Sequence, residues 1–313
     1  MRCLALFTGG LDSLLSVRLM QAQGIEVIGL YVASPLCAAD RERAVAKAAD
    51  LGIELRTAEL TEEYCRLLRA PRFGRIDSAA PCLDCRIAMF ATAREFSAAA
   101  RADFVISGEV VGQRPRTAAR DLEVVAHHAG LGELLLRPLS ARLLPPTEPE
   151  ARAWIDRSRL MAIQGKSRKP QLELARSLGL ANMPPPRPDC PLLAQPLAGR
   201  VQELLNDSAE IAQWLLALLP IGRHFRVDAH TRIILGRNRG ENDALTAAAQ
   251  QAPSDACSLA TPNGFAGPIA LIVGLATPAA CDRAKKLVIE YGHTTGSPAE
   301  SVIIRNTEVP IAL

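Results

Sequence analysis

The fold of this chain is decided by residues 4–13, which read Leu4-Ala5-Leu6-Phe7-Thr8-Gly9-Gly10-Leu11-Asp12-Ser13. Four apolar residues precede two glycines, and leucines at helical spacing follow from Leu11 toward Gln23. This pattern predicts a strand, a tight loop and a helix. Glycines let the backbone approach an anion without an intervening Cβ, and a helix start directs N–H groups and a positive dipole end toward that anion. We therefore expect a phosphate-binding loop at this point.

The polar side chains of the loop suit a nucleotide that carries Mg²⁺. Thr8 and Ser13 offer hydroxyl donors, Gly9 and Gly10 allow close backbone approach, and Asp12 offers a carboxylate for Mg²⁺. The loop lacks the Gly-Lys-Ser/Thr ending of a Walker A loop. A plain strand-turn-helix corner is the alternative interpretation. The position of the loop, directly after the first strand, favours ATP binding.

Strand and helix signals alternate through the first half of the chain. Strands are predicted at residues 4–7, 25–32, 53–60 and 104–107. Helices are predicted at residues 11–23, 38–51, 61–68 and 87–100. This alternation indicates an α/β fold with a doubly wound, Rossmann-like parallel sheet, whose ligand site lies at the carboxyl ends of the strands. Gly108 follows the last of these strands, so we expect it to contact the nucleotide.

Two proline-rich segments, residues 138–150 and 184–191, divide the chain because proline cannot continue a helix. Beyond them, residues 197–219 predict one long amphipathic helix. Further strands are predicted near residues 231–235, 269–273 and 301–304. We predict two domains, residues 1–196 with the phosphate loop and residues 197–313 as a smaller C-terminal α/β domain.

The composition is that of an ordinary globular protein. Of the 313 residues, 49% are hydrophobic and 22% are charged, and the net charge is +3. The N-terminal apolar run is too short for a signal peptide, and no apolar stretch reaches the roughly 18 residues that span a bilayer. We therefore expect a cytoplasmic protein with no membrane contact. In a reducing compartment, closely spaced cysteines indicate metal or redox chemistry rather than disulfides.

Three of the eight cysteines are candidates for such chemistry. Cys82 and Cys85 form a Cys-x-x-Cys pair just before a predicted helix, whose N-terminus, together with Arg86, should lower the pKa of the thiols. Cys190 lies far along the chain in the second proline-rich segment, a rigid setting for a residue held at a site. The other five cysteines are interpreted as small buried hydrophobes.

Positive charge is concentrated between the two proline-rich segments. Residues 137–176 hold nine Lys and Arg against four acids, most densely at Lys166, Arg168 and Lys169. Such a patch suits a phosphate backbone, although a charge run is more often only a solvated face. Arg114, in Gly112-Gln113-Arg114-Pro115, is a further candidate for phosphate contact. We assign these four basic residues to RNA binding.

Five segments together resemble the PP-loop ATP pyrophosphatase superfamily, and within it the tRNA thiouridine synthase-like proteins. The segments are Thr8–Ser13, Pro81–Arg86, Ser107–Pro115, Gly165–Gln171 and Cys190–Leu193. Thr8 replaces the first Ser of the superfamily signature Ser-Gly-Gly-x-Asp-Ser and keeps its hydroxyl. Residues 236–238 and 241–242 also look like the C-terminal region of that group. The resemblance covers most of the chain, weakens in the last third, and implies ATP, Mg²⁺ and tRNA as ligands.

The resemblance also implies a role for the three cysteines. In the cluster-dependent tRNA thiolases, a Cys-x-x-Cys pair and one distant Cys hold a [4Fe-4S] cluster, whose fourth iron binds sulfide. Carried over, Cys82, Cys85 and Cys190 become the ligands of such a cluster. Two alternatives stay open, namely a persulfide/disulfide couple between one thiol of the pair and the distant thiol, and zinc on three thiolates.

These expectations combine into an ATP-dependent tRNA sulfurtransferase. A uridine carbonyl oxygen, presented by a flipped base, would be adenylated, and sulfur from sulfide or a cysteine desulfurase would replace it. Asp12 and the three cysteines are the predicted catalytic residues. The rival functions are a PP-loop enzyme that thiolates or amidates a small molecule and a non-enzymatic, nucleotide-binding redox sensor.

Overall fold

The apolar run after Met1 forms the central strand of a parallel sheet in the computed structural model of the chain. The structure describes residues 1–36, 41–77, 79–180, 183–185, 190–207, 212–253, 255–292 and 301–306. The chain divides into two units, Met1–Ala198 and Gly199–Leu313.

The first unit is built on a five-stranded sheet. Its strands are β1 Arg2–Leu6, β2 Glu26–Ala33, β3 Glu54–Glu59, β4 Phe104–Ser107 and β5 Leu135–Leu136. Neighbouring strands are parallel, in the order β3-β2-β1-β4-β5. β1, β2 and β4 are buried along most of their length, as expected for strands covered by helices on both faces. The strand order reverses between β1 and β4, so the loops that follow these two strands lie at the switch point.

Helices cover this sheet. In chain order they are α1 Leu11–Gln21, α2 Arg41–Leu51, α3 Glu62–Arg69, α4 Cys82–Ala99, α5 Ala119–His128, α6 Glu148–Ala151 and α7 Lys169–Ser177. Phe7, Leu15, Met20, Phe104 and Ile106 are fully buried between the sheet and helices. The predicted α/β fold with a doubly wound parallel sheet is confirmed.

Helix α4 begins earlier than the sequence predicts. The prediction placed the cysteine pair just before a helix that starts near Ile87, whereas the helix starts at Cys82 and includes both cysteines. The Cys85 N–H donates to the carbonyl oxygen of Pro81 at 2.8 Å, which closes the first helical turn around the pair. Apolar periodicity could not reveal this turn, because Cys82–Arg86 contains only one large apolar residue.

The second unit contains an antiparallel sheet. Its strands are β6 Arg223–Arg226, β7 Arg232–Leu235, β8 Cys257–Pro262, β9 Ala270–Val273 and β10 Val302–Asn306. They pair in the order β10-β8-β9-β7-β6. The later helices are α8 Leu197–Asp207, α9 Gln213–Leu218, α10 Arg239–Gln251 and α11 Pro278–Glu290. The predicted smaller C-terminal α/β domain is confirmed.

The single long helix predicted for residues 197–219 is wrong. The structure has α8 and α9 there, and Ala212 before α9 has an extended backbone with ψ of 137°. Residues 208–211 lie outside the described residues. Apolar residues continue at helical spacing across both helices, which is why the pattern suggested one.

The turn between β7 and α10 is held by its own polar side chains. Asn238 caps α10 by accepting a hydrogen bond from the N–H of Glu241 at 3.0 Å. The Glu241 carboxylate accepts from the N–H of Arg237 at 2.7 Å, and Asn242 accepts from the N–H of Ile269 at 3.1 Å. This segment, noted above for its resemblance, therefore has a structural role. Among the helices described, none is long and apolar enough to cross a membrane.

The second unit should lose stability in mild acid because of His224. Burial, reinforced by the charges of Arg200 and Arg232, lowers the pKa of His224 to about 4, and its Nε2 lies 2.9 Å from the carbonyl oxygen of Ile221. A folded-state pKa below the unfolded value means that stability is complete above about pH 6.5 and is lost as the pH falls toward 4. The shift corresponds to about 3 kcal/mol.

Chemical denaturation between pH 7 and 4.5 measures this effect. Trp214 lies in the second unit, so its fluorescence in a Trp154→Phe background reports unfolding there. His224→Gln should lose less stability in acid than the native chain. His230→Gln, which removes an exposed histidine of the same unit, should behave like the native chain. Equal acid losses in native and His224→Gln proteins would contradict the assignment.

Candidate active site

The phosphate loop lies at the carboxyl end of β1. Gly9 has a φ of +67°, and a Cβ there would lie 3.0 Å from the carbonyl oxygen of Arg43. Gly10 is the N-cap of α1, and having no side chain it leaves the first-turn N–H groups uncapped. Thr8 is half-buried, and the Ser13 hydroxyl donates to the carbonyl oxygen of Gly10 at 2.8 Å. The loop thus presents backbone N–H groups at a helix start, which favours an anion.

The end of β4 touches the first turn of α1. A Cβ on Gly108 would lie 2.6 Å from the backbone N of Ser13 and 2.6 Å from the carbonyl carbon of Asp12, so only glycine fits. The Ser16 hydroxyl donates to the carbonyl oxygen of Asp12 at 2.9 Å and lies 3.3 Å from that of Ser107. Packing against the loop therefore accounts for Gly108, and its predicted contact with a nucleotide stays a prediction.

Asp12 carries a buried carboxylate with spare acceptor capacity. Its Oδ2 accepts from Nε2 of Gln113 at 3.2 Å, while its buried Oδ1 has no hydrogen-bond partner among the residues that the structure describes. Burial raises the pKa of Asp12, and Gln113, Arg168, Arg114 and Gln171 act in the opposite direction. A buried carboxylate oxygen without a donor fits a divalent cation, so Asp12 suits the Mg²⁺ predicted from the sequence.

A second segment of the chain lies beside this loop. The Ser140 hydroxyl accepts from the N–H of Val111 at 3.0 Å and donates to the carbonyl oxygen of Ile163 at 2.7 Å. The N–H of Gly165 then donates to the carbonyl oxygen of Val111 at 2.8 Å, and Val111 and Gln164 form a parallel bridge. These bonds bring residues 165–171 next to residues 112–114.

The four basic residues predicted to bind RNA do not lie in equivalent environments. Lys166 and Lys169 are exposed, as is Arg114. Arg168 is half-buried at the N-cap of α7. Arg168 and Arg114 both lie close enough to Asp12 for their charges to lower its pKa. Arg168 and Arg114 therefore lie near the phosphate loop, and Arg168 alone of the four is half-buried.

The cysteine pair occupies the first turn of α4. Cys82 and Cys85 are half-buried, and none of the described cysteines forms a disulfide. The expectation of a lowered thiol pKa is wrong for Cys82, because burial raises the pKa and outweighs Arg86 and Arg116. The thiol of Cys82 is therefore less readily ionised than the sequence suggested.

A buried ionic network joins the cysteine helix to the phosphate loop. Glu109, directly after Gly108, accepts from Nη1 of Arg86 at 3.1 Å and from Nε of Arg137 at 2.9 Å. The Glu109 side chain is 14% exposed, and that of Arg137 is 5% exposed. Arg86 also donates to the carbonyl oxygens of Cys82 and Arg116. Burial alone would raise the pKa of Glu109, but the two guanidinium groups hold it below its usual range.

The predicted three-cysteine metal site is not assembled in the described part of the chain. Cys190 is half-buried before a short turn, Pro191–Leu193, and its neighbour Asp189 lies outside the described residues. Among the residues that are described, no group of three or more His, Cys, Asp or Glu side chains could hold a metal ion. The [4Fe-4S] cluster and the three-cysteine zinc site therefore stay predictions.

Sequence reasoning missed four polar residues of this region. They are Glu109, Gln113, Arg137 and Gln171. Three of them stand inside segments singled out for their resemblance, at positions 109, 113 and 171. Each was passed over because an isolated Glu, Gln or Arg gives no sign of burial, and Arg137 lies at the edge of the basic segment.

Part of each unit matches a protein-family model. Residues 1–142 match the family model described as thiamine biosynthesis protein (ThiI). The first unit contains a ThiI domain of the PP-loop superfamily. Residues 222–310 match the family model described as NFACT protein RNA binding domain. The ThiI domain therefore carries the phosphate loop, the cysteine pair and Glu109, whereas residues 165–171 lie beyond its matched range.

Solved structures show only weak similarity to the chain. A 4-thiouridine synthetase in complex with RNA and ATP is 16% identical, over 57% of this chain and 51% of that chain, with a TM-score of 0.37. A predicted subunit of tRNA methyltransferase from Methanocaldococcus jannaschii is 14% identical, over 49% and 75%, with a TM-score of 0.33. The NMN synthetase from Francisella tularensis is 12% identical, over 59% and 89%, with a TM-score of 0.29. No curated protein matches the chain.

Glu109→Gln should destabilise the ThiI domain strongly. The substitution leaves the guanidinium groups of Arg86 and Arg137 buried without their counter-charge, and loss of one partner from a buried ion pair costs about 3–5 kcal/mol. Because the folded-state pKa of Glu109 is lowered, its contribution is present above the unfolded value of about 4.3 and is lost as the pH falls through the folded value. The difference between native and variant should therefore shrink in acid.

Urea denaturation of both proteins across pH 3 to 7 tests this expectation. Glu123→Gln removes an exposed carboxylate of α5 and serves as the matched control, with little effect expected at any pH. A Glu109→Gln protein as stable as the control at neutral pH would show that the network contributes little.

Proposed function

We propose that this chain is an ATP-dependent tRNA sulfurtransferase that converts a uridine to a thiouridine. The observation that carries the proposal is the pairing of a ThiI domain with a domain from a family described as RNA binding. The geometry adds support, because the phosphate loop and a cysteine pair are joined through one buried network.

The nucleotide half of the reaction is assigned to the phosphate loop. Thr8, Gly9, Gly10 and Ser13 would contact the phosphates of ATP, with the uncapped N–H groups of α1 stabilising the leaving pyrophosphate. Asp12 would hold Mg²⁺ through its unpaired Oδ1. When bound, the Mg²⁺ ion supplies positive charge to the phosphates.

The proposed chemistry has two displacement steps. The uridine carbonyl oxygen attacks the α-phosphorus of ATP, the bond to the bridging oxygen breaks, and pyrophosphate leaves. A sulfur nucleophile then attacks the adenylated carbon, and AMP leaves with the former carbonyl oxygen. Sulfur delivered as sulfide requires no redox change, whereas delivery from a protein persulfide leaves a disulfide that an external thiol must reduce.

The sulfur half is assigned to Cys82, Cys85 and Cys190. Cys82 and Cys85 lie in one helical turn, and Arg86 ties that turn to Glu109 beside the loop. Because its pKa is raised, the Cys82 thiol is protonated to a greater extent than the thiol of an exposed cysteine. A sulfur donor or metal must therefore displace the proton before the Cys82 sulfur can react. The donor we propose is sulfide or a cysteine desulfurase.

The RNA half is assigned to exposed basic residues and to the second unit. Lys166, Lys169 and Arg114 are exposed on the first unit and carry charges suited to a phosphate backbone. The second unit matches a family that is described as RNA binding, which supports tRNA over a small-molecule acceptor.

Incubation of the purified chain with ATP, Mg²⁺, sulfide and bulk tRNA tests the function. We expect release of AMP and pyrophosphate together with a thiolated nucleoside detected by mass spectrometry. A parallel incubation replaces sulfide with ammonia, and consumption of ammonia there, with no thiolated product in the first incubation, would support amidation instead. ATP binding without any turnover in the presence of tRNA would support a redox sensor.

Cys82→Ala should abolish thiolation while leaving ATP affinity within about twofold, because the thiol is assigned to sulfur and not to the nucleotide. Cys65→Ala removes a half-buried thiol from a different helix, α3, and should keep both the thiolation activity and the ATP affinity of the native chain. Both variants are compared by thiolated-nucleoside yield and by ATP titration. Thiolation at the native rate by Cys82→Ala would show that the sulfur assignment is wrong.

An iron count on anaerobically purified protein tests the predicted [4Fe-4S] cluster. A cluster held by Cys82, Cys85 and Cys190 predicts bound iron that each of the three Cys→Ala changes lowers and that Cys65→Ala leaves unchanged. Iron-free protein that thiolates with a thiol reductant would support the persulfide alternative. Stoichiometric zinc would support the third alternative.

A further inference from the structure

We propose that residues 165–171 form a second wall of the nucleotide site, in which Arg168 binds the phosphates of ATP and Gln171 positions Asp12. The inference rests on the proposed function in taking ATP as the nucleotide. It changes the assignment of Arg168, which the sequence placed with the RNA-binding residues.

Gln171 provides the first argument. It is fully buried, yet neither its Oε1 nor its Nε2 makes a hydrogen bond of normal geometry within the described ranges. A buried polar group without a hydrogen bond is unfavourable, so such a residue needs an explanation. Gln171 lies beside Asp12, where its side chain makes a weak hydrogen-bonding contribution that lowers the pKa of that carboxyl, and Asp12 Oδ1 is also buried without a hydrogen bond of normal geometry. Three buried polar atoms that lack a hydrogen bond of normal geometry in one place indicate that a ligand belongs there.

The chemistry of these atoms indicates which ligand it is. Asp12 Oδ1 is an acceptor, and Gln171 offers one acceptor and two N–H donors. Mg²⁺ takes few protein carboxylates and keeps several waters, which donate hydrogen bonds to nearby acceptors. A hydrated Mg²⁺ with phosphate oxygens would therefore satisfy these atoms, because bound water could donate to Gln171 Oε1 and an oxygen of phosphate or Asp12 could accept from Nε2.

Arg168 provides the second argument, because its surroundings differ from those of its basic neighbours. Lys166 and Lys169 are exposed, whereas Arg168 is half-buried and its charge lowers the pKa of Asp12. An arginine whose charge acts on the carboxylate of a phosphate loop lies near enough to that loop to bind phosphate, which its planar guanidinium does with two parallel hydrogen bonds. The start of α7 adds the positive end of a helix dipole on the same side.

The wall is held rigidly before any ligand binds. Ser140 links residue 111 to residue 163, and Gly165 is bonded to Val111. Helix α7 packs against α1, with Ala175 fully buried in the core that contains Leu11 and Leu14. Arg168 and Gln171 therefore keep a fixed position relative to Asp12, as a preorganised site requires.

Titration of the full chain with ATP and Mg²⁺ tests the role of Arg168. Arg168→Gln should weaken binding by about 10- to 100-fold, the usual range for a hydrogen bond to a charged group. Arg168→Lys should recover part of the loss, because it restores the charge. Arg176→Gln removes an exposed charge at the other end of α7 and should bind ATP normally. Each of these two Gln variants loses one positive charge. Their affinities for bulk tRNA, measured without nucleotide, should therefore differ by less than about twofold.

The role of Gln171 is tested by the dependence on Mg²⁺. Gln171→Leu should lose most of the increase in ATP affinity that Mg²⁺ provides and keep its affinity in EDTA. Gln164→Leu, an exposed change just outside the wall, should keep both. Equal losses with Mg²⁺ and with EDTA would mean that Gln171 only supports the fold, and would overturn its assignment.

The outcomes separate this inference from the function on which it rests. A native chain that does not bind ATP would overturn both. Native ATP binding that Arg168→Gln leaves unchanged would overturn the wall alone. Weakened tRNA binding by Arg168→Gln with normal ATP binding would return Arg168 to the RNA surface.

Discussion

The contact between the end of β4 and the first turn of α1 leaves no room for a side chain on Gly108. Because Glu109 comes next in the chain, this contact also fixes the carboxylate that holds Arg86 and Arg137. Arg86 in turn binds the backbone of Cys82. The position of the cysteine helix relative to the phosphate loop therefore depends on one close approach between two backbones.

The sequence predicted the parts of the fold that depend on local pattern. β1, β2 and β4 are continuous apolar runs, and glycines mark the loop, so both the parallel sheet and Asp12 were found. β6 and β8 were missed because Arg-His-Phe-Arg and Cys-Ser-Leu-Ala have no such run. Gln171 and Glu109 were missed because their roles come from partners that are distant in sequence.

The thiol of Cys82 shows how a correct local argument can give a wrong result. The helix start and Arg86 both favour the thiolate, as the sequence suggests. In the folded chain Cys82 is half-buried, and burial raises its pKa by more than the charges of Arg86 and Arg116 lower it. The sign of the shift is therefore decided by burial, which depends on packing between distant parts of the chain and not on local spacing.

The bonds from Ser140 and Val111 to residues 163–165 have a consequence for dividing the protein. The ThiI match ends at residue 142, so a fragment cut at that boundary would keep the phosphate loop and lose the segment opposite it. A chain still being synthesised also lacks this segment until α7 has left the ribosome. Binding of a nucleotide would then require that residues 165–171 have packed beside the phosphate loop.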